Sequence, residues 1–484
     1  MNYKMMGRFI GKILMVEAVF MVPAMLISLF EGEFASVRAF MYSIGAIILV
    51  CGLLMLLCRG SKNKFYAKEG LACVGLSWIF MSLLGCLPFF ISGVIPNFVD
   101  AFFEIVSGFT TTGASILPYV EGLPKGILYW RSFSHWLGGM GVLVFLLAVS
   151  SMGGGDNGYT MHLLRAESPG PNVGKLVPKM RKTARILYLI YVLLTLLDIL
   201  FLVLGKMPLF EAVCTAFGTV GTGGFGIKND SIAGYSPYIQ NVCTVFMLLC
   251  GVNFTCFYLL LIRQVRNVFR DEELRLYLGV VAASVLVITL NLKGFYDTLE
   301  ETVRHAAFQV ATIMTTTGFA TTDYEQWPGL SKTILLVLMI IGASAGSTGG
   351  GFKCGRALLV LKSLRRSVQQ IVHPQKVQVV RVNGQSIDEK VLQNTNAYLA
   401  AYAILIVVSF LLISVDGFSI TTNLSAVLAC FNNIGPGFEL VGPTGNYAAY
   451  GTFSKLILTL DMLAGRLEIF PILILFSRTT WAHR

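Results

Sequence analysis

The sequence predicts an all-α integral membrane protein: four pseudo-repeated helix–half-helix–helix units around one pore, plus two extra N-terminal transmembrane helices. Three observations predict it. The composition is too apolar for a water-facing surface: 55% of 484 residues are hydrophobic and 13% are charged, with mean hydropathy +0.71. Soluble domains carry about 25% charged residues. Ten long apolar segments are present, and four half-length ones lie between them. Each half-length segment ends in a small-residue or polar turn. Disorder is excluded, because disordered chains are poor in aromatics and rich in charge. The 49 glycines and 12% aromatics suit membrane helices and their interfaces.

A spanning helix needs about 20 apolar residues. The long segments lie near 9–30, 38–58, 70–93, 126–150, 184–205, 238–262, 276–293, 331–361, 395–415 and 455–477. The basic residues Lys4, Arg8 and Lys12 run straight into the first, so a retained helix is expected, not a signal peptide. With the N-terminus inside, segments 1–12, 58–70, 150–185, 262–276, 362–392 and 478–484 hold 25 of the Lys and Arg residues. Nine fall outside and three (Lys353, Arg356, Arg466) fall at membrane depth. The positive-inside rule then places both termini inside. The outside face carries 14 acids and is net negative by five, which concentrates cations. The net charge of +11 therefore reports topology and not nucleic-acid binding.

The half-length segments lie near 97–110, 208–220, 300–315 and 420–432, too short to cross. Their turns are Thr110, Thr111, Thr112 and Gly113; Val220, Gly221, Thr222 and Gly223; Thr315, Thr316, Thr317 and Gly318; and Asn432, Asn433, Ile434 and Gly435. Three share Thr-Gly, and the aligned glycines are spaced by 110, 95 and 117. A period near one hundred residues marks an internal fourfold repeat. The units are expected over 63–160, 161–272, 273–392 and 393–484, with the extra helices in 1–62. Irregular backbone at membrane depth must be buried or line a cavity. A ring of backbone carbonyls replaces a cation's hydration shell, and each half-helix points its negative C-terminal end at the ion. In the second turn Gly221, Gly223 and Gly224 compete for the filter position; Gly223 keeps the Thr-Gly pairing, whereas Gly224 places Gly-Phe as in the third. The same run reads G-x-G-x-x-G, but no strand context supports a dinucleotide site.

The eighth segment contains Gly342-Ala-Ser344-Ala-Gly346-Ser347-Thr348-Gly349-Gly350-Gly351. Each helix-interior Gly costs about 1 kcal/mol against Ala, so a loop interrupting the helix is expected. The alternative is a close-packed kink of small residues. Arg466, at membrane depth, is a functional residue by default or a structural ion-pair partner of Asp461 or Glu468. Lys353 is a second barrier charge or a snorkelling residue. Asp198 and Glu17 are isolated membrane acids, expected as hydrogen-bonded packing residues, with a proton or sodium relay as the alternative. Glu104 and Glu211 lie in the half-helices, favoured by the dipole or holding turn amides. Trp130, His135 and Trp136 are expected as interfacial anchors. The ten cysteines and five histidines form neither a disulfide framework nor a zinc site. Nothing predicts catalysis, so the chain is expected not to be an enzyme.

These turns, together with Gly223-Gly-Phe225, Thr316-Thr-Gly-Phe319, Cys430 through Gly437 and Gly465-Arg-Leu-Glu-Ile-Phe-Pro471, resemble the Trk/Ktr/HKT superfamily of potassium transporters, closest to the TrkH and TrkG membrane subunits. The resemblance runs over nearly the whole chain. It implies potassium uptake (rubidium also passing) through a carbonyl filter in a bacterial cytoplasmic membrane. It implies a gate formed by Gly346, Ser347, Thr348, Gly349, Gly350, Gly351, Lys353 and Arg466, with Arg466 facing the path below the filter. There it raises the barrier to a resting cation or latches the loop. Gly113 implies potassium permeability, since a serine there accompanies sodium selectivity in the family. No covalent cofactor is implied. The expected partners are a second copy of the chain and a TrkA-like cytosolic subunit binding NAD or ATP. Segment 363–392, with β-like Lys376 to Val382, is a docking surface of suitable length. Two mechanisms remain: a gated channel, or symport with protons or sodium.

Overall fold

Helix α1 (Tyr3–Phe30) packs along α2 (Phe34–Leu57) and buries Leu14, Ala18, Met21 and Ala24. These positions recur every three or four residues, the spacing of one helical face. The computed structural model describes residues 2–59, 67–139, 141, 180–375 and 378–481. α3 (Ala67–Gly85) and short α4 (Leu87–Ile91) follow. Six unbroken stretches among the described residues are long and apolar enough to cross a membrane.

Four half-helices lie between the long ones: α5 (Phe98–Phe109), α8 (Leu209–Gly221), α13 (Leu299–Met314) and α17 (Ile420–Phe431). At 12 to 16 residues each is about 18–24 Å long, short of a ~30 Å hydrocarbon core. Their starts are written in the sequence. Asn97, Thr298 and Ser419 accept hydrogen bonds from first-turn amides, and Pro208 precedes α8. Side-chain caps satisfy amides that have no intrahelical partner.

The half-helices are flanked by further helices: α6 (Lys125–Gly139), α7 (Met180–Leu204), α9 (Pro237–Cys250), α10 (Phe254–Leu261), α12 (Glu272–Asn291), α14 (Gly329–Ile341), α15 (Cys354–Val372), α16 (Glu389–Ile413), α18 (Thr452–Arg466) and α19 (Phe470–Phe476). The short α11 (Val265–Arg270) joins α10 to α12, and α20 (Arg478–Trp481) closes the described chain. Much of the predicted span 126–150 and the segment 150–185 lie outside the described residues.

Two spans expected as continuous are broken. The sixth bends by 89° between α9 and α10. Asn253 restarts the helix by accepting from Thr255 N at 2.9 Å, and the freed Gly251 carbonyl accepts from Ser344 N at 3.1 Å. The tenth breaks after Arg466, where Glu468 and Ile469 take φ of 61° and 63° and Pro471 opens α19. The expected interruption of the eighth span is present: α14 ends at Ile341 and α15 begins at Cys354. In segment 363–392 a small hairpin pairs β1 (Arg381–Val382) with β2 (Gln385–Ser386). Its turn, Asn383-Gly384, has φ of 52° and 79°, the left-handed pair a tight hairpin requires. The strand is shorter than the β-like run suggests, and residues 376 and 377 lie outside the described set.

Candidate ion pathway

The four turns close with one backbone pattern. Thr112 N donates to Ser107 O at 2.9 Å, and Gly223 N, Thr317 N and Ile434 N donate to Gly218, Thr312 and Ala429 carbonyls at 2.8 Å. These are Schellman-type closures of a helix end. The left-handed residue each one needs is Thr111, Thr222, Thr316 or Asn433, with φ of 54–57°. A β-branched threonine there is strained by about 1–2 kcal/mol, so three such turns require the surrounding packing to hold them.

This pattern fixes the register. The glycines that follow with positive φ are Gly113, Gly224, Gly318 and Gly435, at 79°, 78°, 92° and 95°. The Thr-Gly pairing therefore misleads in the second turn. Gly224 is the structural counterpart of the other three; Gly223 matches Thr112, and Val220 lies one step back, buried in α8. The corrected spacings, by subtraction, are 111, 94 and 117.

The four glycines also close a ring. A methyl group on Gly113 would collide with the Gly223 carbonyl, and one on Gly224 with the Thr317 carbonyl. One on Gly318 would meet the Ile434 carbonyl, and one on Gly435 the Thr112 carbonyl. Each turn thus presses on the next, and the fourth returns to the first. All four glycines line one cavity, shared with Arg131 and Tyr447. The C-terminal ends of four half-helices meet at this ring. Each carries roughly half a negative charge, so the ring favours a cation.

Threonine hydroxyls brace the turns. Thr110 Oγ1 and Thr315 Oγ1 donate to carbonyls one helical turn back, at 2.6 and 2.7 Å. Thr110 pairs with Thr112, and Thr315 with Thr317, each at 2.8 Å. Asn432 Nδ2 donates to Leu428 O at 3.0 Å, and Asn433 Nδ2 ties the fourth turn to Thr112 Oγ1 at 2.9 Å.

The loop 342–353 lies against the third and fourth turns. Gly350 N donates to Thr316 Oγ1 at 2.6 Å. A methyl at Gly349 would stand 2.8 Å from Thr315 O, and one at Gly350 2.6 Å from Asn432 O. The opposite side of the loop fits the break in the sixth span: Phe254 N donates to Gly346 O at 3.0 Å and Thr348 Oγ1 to Cys250 O at 3.3 Å. Ser347 Oγ bonds Ser344 O at 2.6 Å, and Gly346 and Gly351 take φ of 71° and 79°. The loop is therefore no simple kink.

Its charges are placed differently from several expectations. Arg466 Nη1 donates to Thr348 O at 2.8 Å and Nη2 to Gly138 O at 2.6 Å. Glu468 pairs instead with Arg356, and Asp461 accepts from Ser409 at 2.6 Å. Lys353 does not snorkel; it is buried and donates to Gly349 O. Glu273, which the sequence did not single out, accepts from Ala345 N at 2.6 Å. Next to it, Glu272 N bonds Asn383 of the hairpin at 2.9 Å.

Around the ring, Glu104 accepts from Ile116 N at 2.9 Å and pairs with buried Arg131 at 2.7 Å, so it holds an amide just past the first turn. Arg131 also donates to Gly226 O at 2.9 Å and lies 3.6 Å from the Phe225 ring centre. Glu211 accepts from Tyr235 at 2.7 Å; burial, then this bond, pushes the Tyr235 phenol up. Trp130 and His135 are fully buried, not interfacial. Trp130 bonds Gly85 O and Trp136 bonds Thr195 Oγ1, each at 3.0 Å. Glu17 and Asp198 are buried, but their carboxylates accept no hydrogen bond among the described residues. Thr219, beside Asp198, donates to Thr215 O at 2.9 Å instead. All ten cysteines are free and buried.

The fold and the ring define a multi-pass helical membrane protein built from four half-helix-and-turn units. The chain belongs to the TrkH family of cation transport proteins, whose family model matches residues 36–481. It is 36% identical to the Trk system potassium uptake protein TrkH of Salmonella typhimurium, over 99% of this chain and 100% of the relative. It is 32% identical to TrkG of Escherichia coli, over 97% of each. The crystal structure of the potassium transporter TrkH from Vibrio parahaemolyticus superposes with TM-score 0.88 at 31% identity, covering 100% of both chains.

Proposed function

We propose that this chain carries potassium into the cell through the ring of four turns, in a bacterial cytoplasmic membrane, with both termini cytoplasmic. The carrying observation is the closed ring Gly113–Gly224–Gly318–Gly435, each glycine backed against the neighbouring turn's carbonyl. The filter residues are then Thr110–Gly113, Gly221–Gly224, Thr315–Gly318 and Asn432–Gly435. Their carbonyls replace the hydration shell. Loop 342–353 is the gate, held by Arg466 and Lys353. Flux is channel-like and follows the electrochemical gradient. A second copy of the chain and a cytosolic nucleotide-binding subunit, TrkA-like and loaded with NAD or ATP, complete the assembly. The hairpin bonded to Glu272 supports a docking and transmission role for segment 363–392.

Symport is the second reading, and the buried carboxylates of Glu17 and Asp198, which accept no hydrogen bond among the described residues, favour it. Intramembrane acids of this kind mark proton and ion relays. Rubidium flux into proteoliposomes holding the purified chain alone separates the readings. Flux that rises with imposed voltage and needs no proton or sodium gradient supports the channel. Flux that appears only with such a gradient sinks it and makes the two acids the next targets.

A further inference from the structure

Three turns of the ring carry a buried side chain at the residue that follows the left-handed one: Thr112, Thr317 and Ile434. The second turn has Gly223 at this position and supplies nothing. The space is filled from another helix. A methyl built on Gly223 would overlap the His135 ring at Cγ, Nδ1 and Cδ2. His135, on α6, is fully buried. Its imidazole lies 4.2 Å from the Phe225 ring, centre to centre.

Both ring nitrogens are engaged, and their partners fix the tautomer. Phe225 N is a donor, so Nε2 accepts from it, at 3.1 Å. Gly108 O is an acceptor, so Nδ1 carries the proton and donates to it, at 2.9 Å. The neutral imidazole thus joins the end of the first half-helix to the backbone just past the second turn. Gly108 O also accepts from Thr111 N at 3.1 Å, so the same carbonyl holds the strained residue of the first turn. The backbone of the same helix closes on the second turn as well: a methyl on Gly221 would stand 2.7 Å from His135 O.

We infer that His135 is the positioning residue of the filter's second turn, replacing in trans the side chain that the other turns carry at this position, and that it sets discrimination between potassium and sodium. The inference rests on the potassium reading above. A filter separates cations through the placement and stiffness of its oxygens. Loosening one turn in four should therefore reduce selectivity before it abolishes flux.

The test is rubidium and sodium uptake by the full chain in proteoliposomes, read as the ratio of the two. His135→Asn keeps a donor toward Gly108 O and removes the acceptor for Phe225 N. It is expected to fold, shown by an unchanged gel-filtration profile, and to lower the rubidium-to-sodium ratio about tenfold. A buried amide left without an acceptor is worth that factor. H135A is expected to fall at least as far. The double variant H135A/G223T restores a threonine in cis, as in the first and third turns, and is expected to recover much of the ratio. G223T with His135 present is expected to lose flux, because the two side chains compete for one space. A folded H135N with the wild-type ratio overturns the inference, as does a double variant no more selective than H135A. A wild-type chain that passes rubidium no better than sodium overturns the potassium reading itself.

Discussion

The amide of Gly350 donates to Thr316 Oγ1 at 2.6 Å, so the loop beneath the ring hangs from a residue of the ring. Thr316 is also the strained residue of its turn, with φ 57°. One hydroxyl therefore couples the shape of the third turn to the position of the loop. T316V keeps the β-branched shape and removes the acceptor. It leaves a buried amide unpaired, which costs about 1–3 kcal/mol. Rubidium flux through the chain alone is expected to rise by about fivefold or more, the factor that ~1 kcal/mol represents. Flux unchanged from wild type would show that this bond does not hold the loop.

Arg466 reaches two carbonyls at once, Thr348 O and Gly138 O. A guanidinium serves two acceptors in fixed directions, whereas an ammonium is a point charge. R466K keeps the charge and loses the fork. If Arg466 is a latch, R466K raises flux nearly as much as R466Q does. A lysine variant indistinguishable from wild type would make the charge, and not the hydrogen bonds, the barrier.

The ring glycines are expected to be intolerant of any side chain. At Gly435 a methyl meets Thr112 O, and φ is 95°. Neither can relax without moving the adjacent turn. G435A is expected to reduce rubidium flux by at least about tenfold. G279A, on the open face of α12 with nothing within 4 Å, is expected to leave it unchanged. Uptake assays at matched protein density compare the two.

Glu439, in the loop after the fourth turn, accepts from Ser419 and from Thr422, the latter at 2.7 Å. The Ser419 bond first, then that of Thr422, holds its carboxyl below the usual range. A depressed folded-state pKa contributes stability above the unfolded value, and that stability is lost as pH falls through the folded value. Detergent-purified chain is expected to lose more thermal stability than E439Q on acidification below the ordinary carboxylate range. The group is mostly exposed, so the difference should be small and weakened by salt. Parallel melting curves for the two proteins would refute this.

Much of this protein is legible in the chain itself. Apolar length marks the six segments that appear as unbroken membrane-length stretches among the described residues, since a helix satisfies its own backbone where water is absent. The half-helices are legible for the same reason: they are too short, and Asn97, Thr298 and Ser419 mark three of their starts. The glycine run 342–351 announces an interruption because it cannot sustain a helix. The break at Gly251–Asn253 carried a fainter sign, a glycine two residues before an asparagine inside an apolar run.

Other features belong to the tertiary structure alone. Ile469, fully buried, takes φ 63°, a conformation that its own β-branched side chain disfavours. Whether Arg466 would meet an acid or a carbonyl depended on which helix faced it, and Glu468 turned to Arg356. The register of the second turn is the clearest case. From sequence, Gly223 and Gly224 both have the freedom a filter glycine needs. Only the fold reveals that Gly223 is small because His135 occupies its side-chain space, while Gly224 is small because its own backbone is left-handed. Sequence determines the local constraints of length, caps and flexibility. Which of two permissive residues has room for a side chain is decided by His135, 88 residues before Gly223 by subtraction, through excluded volume that no local pattern encodes.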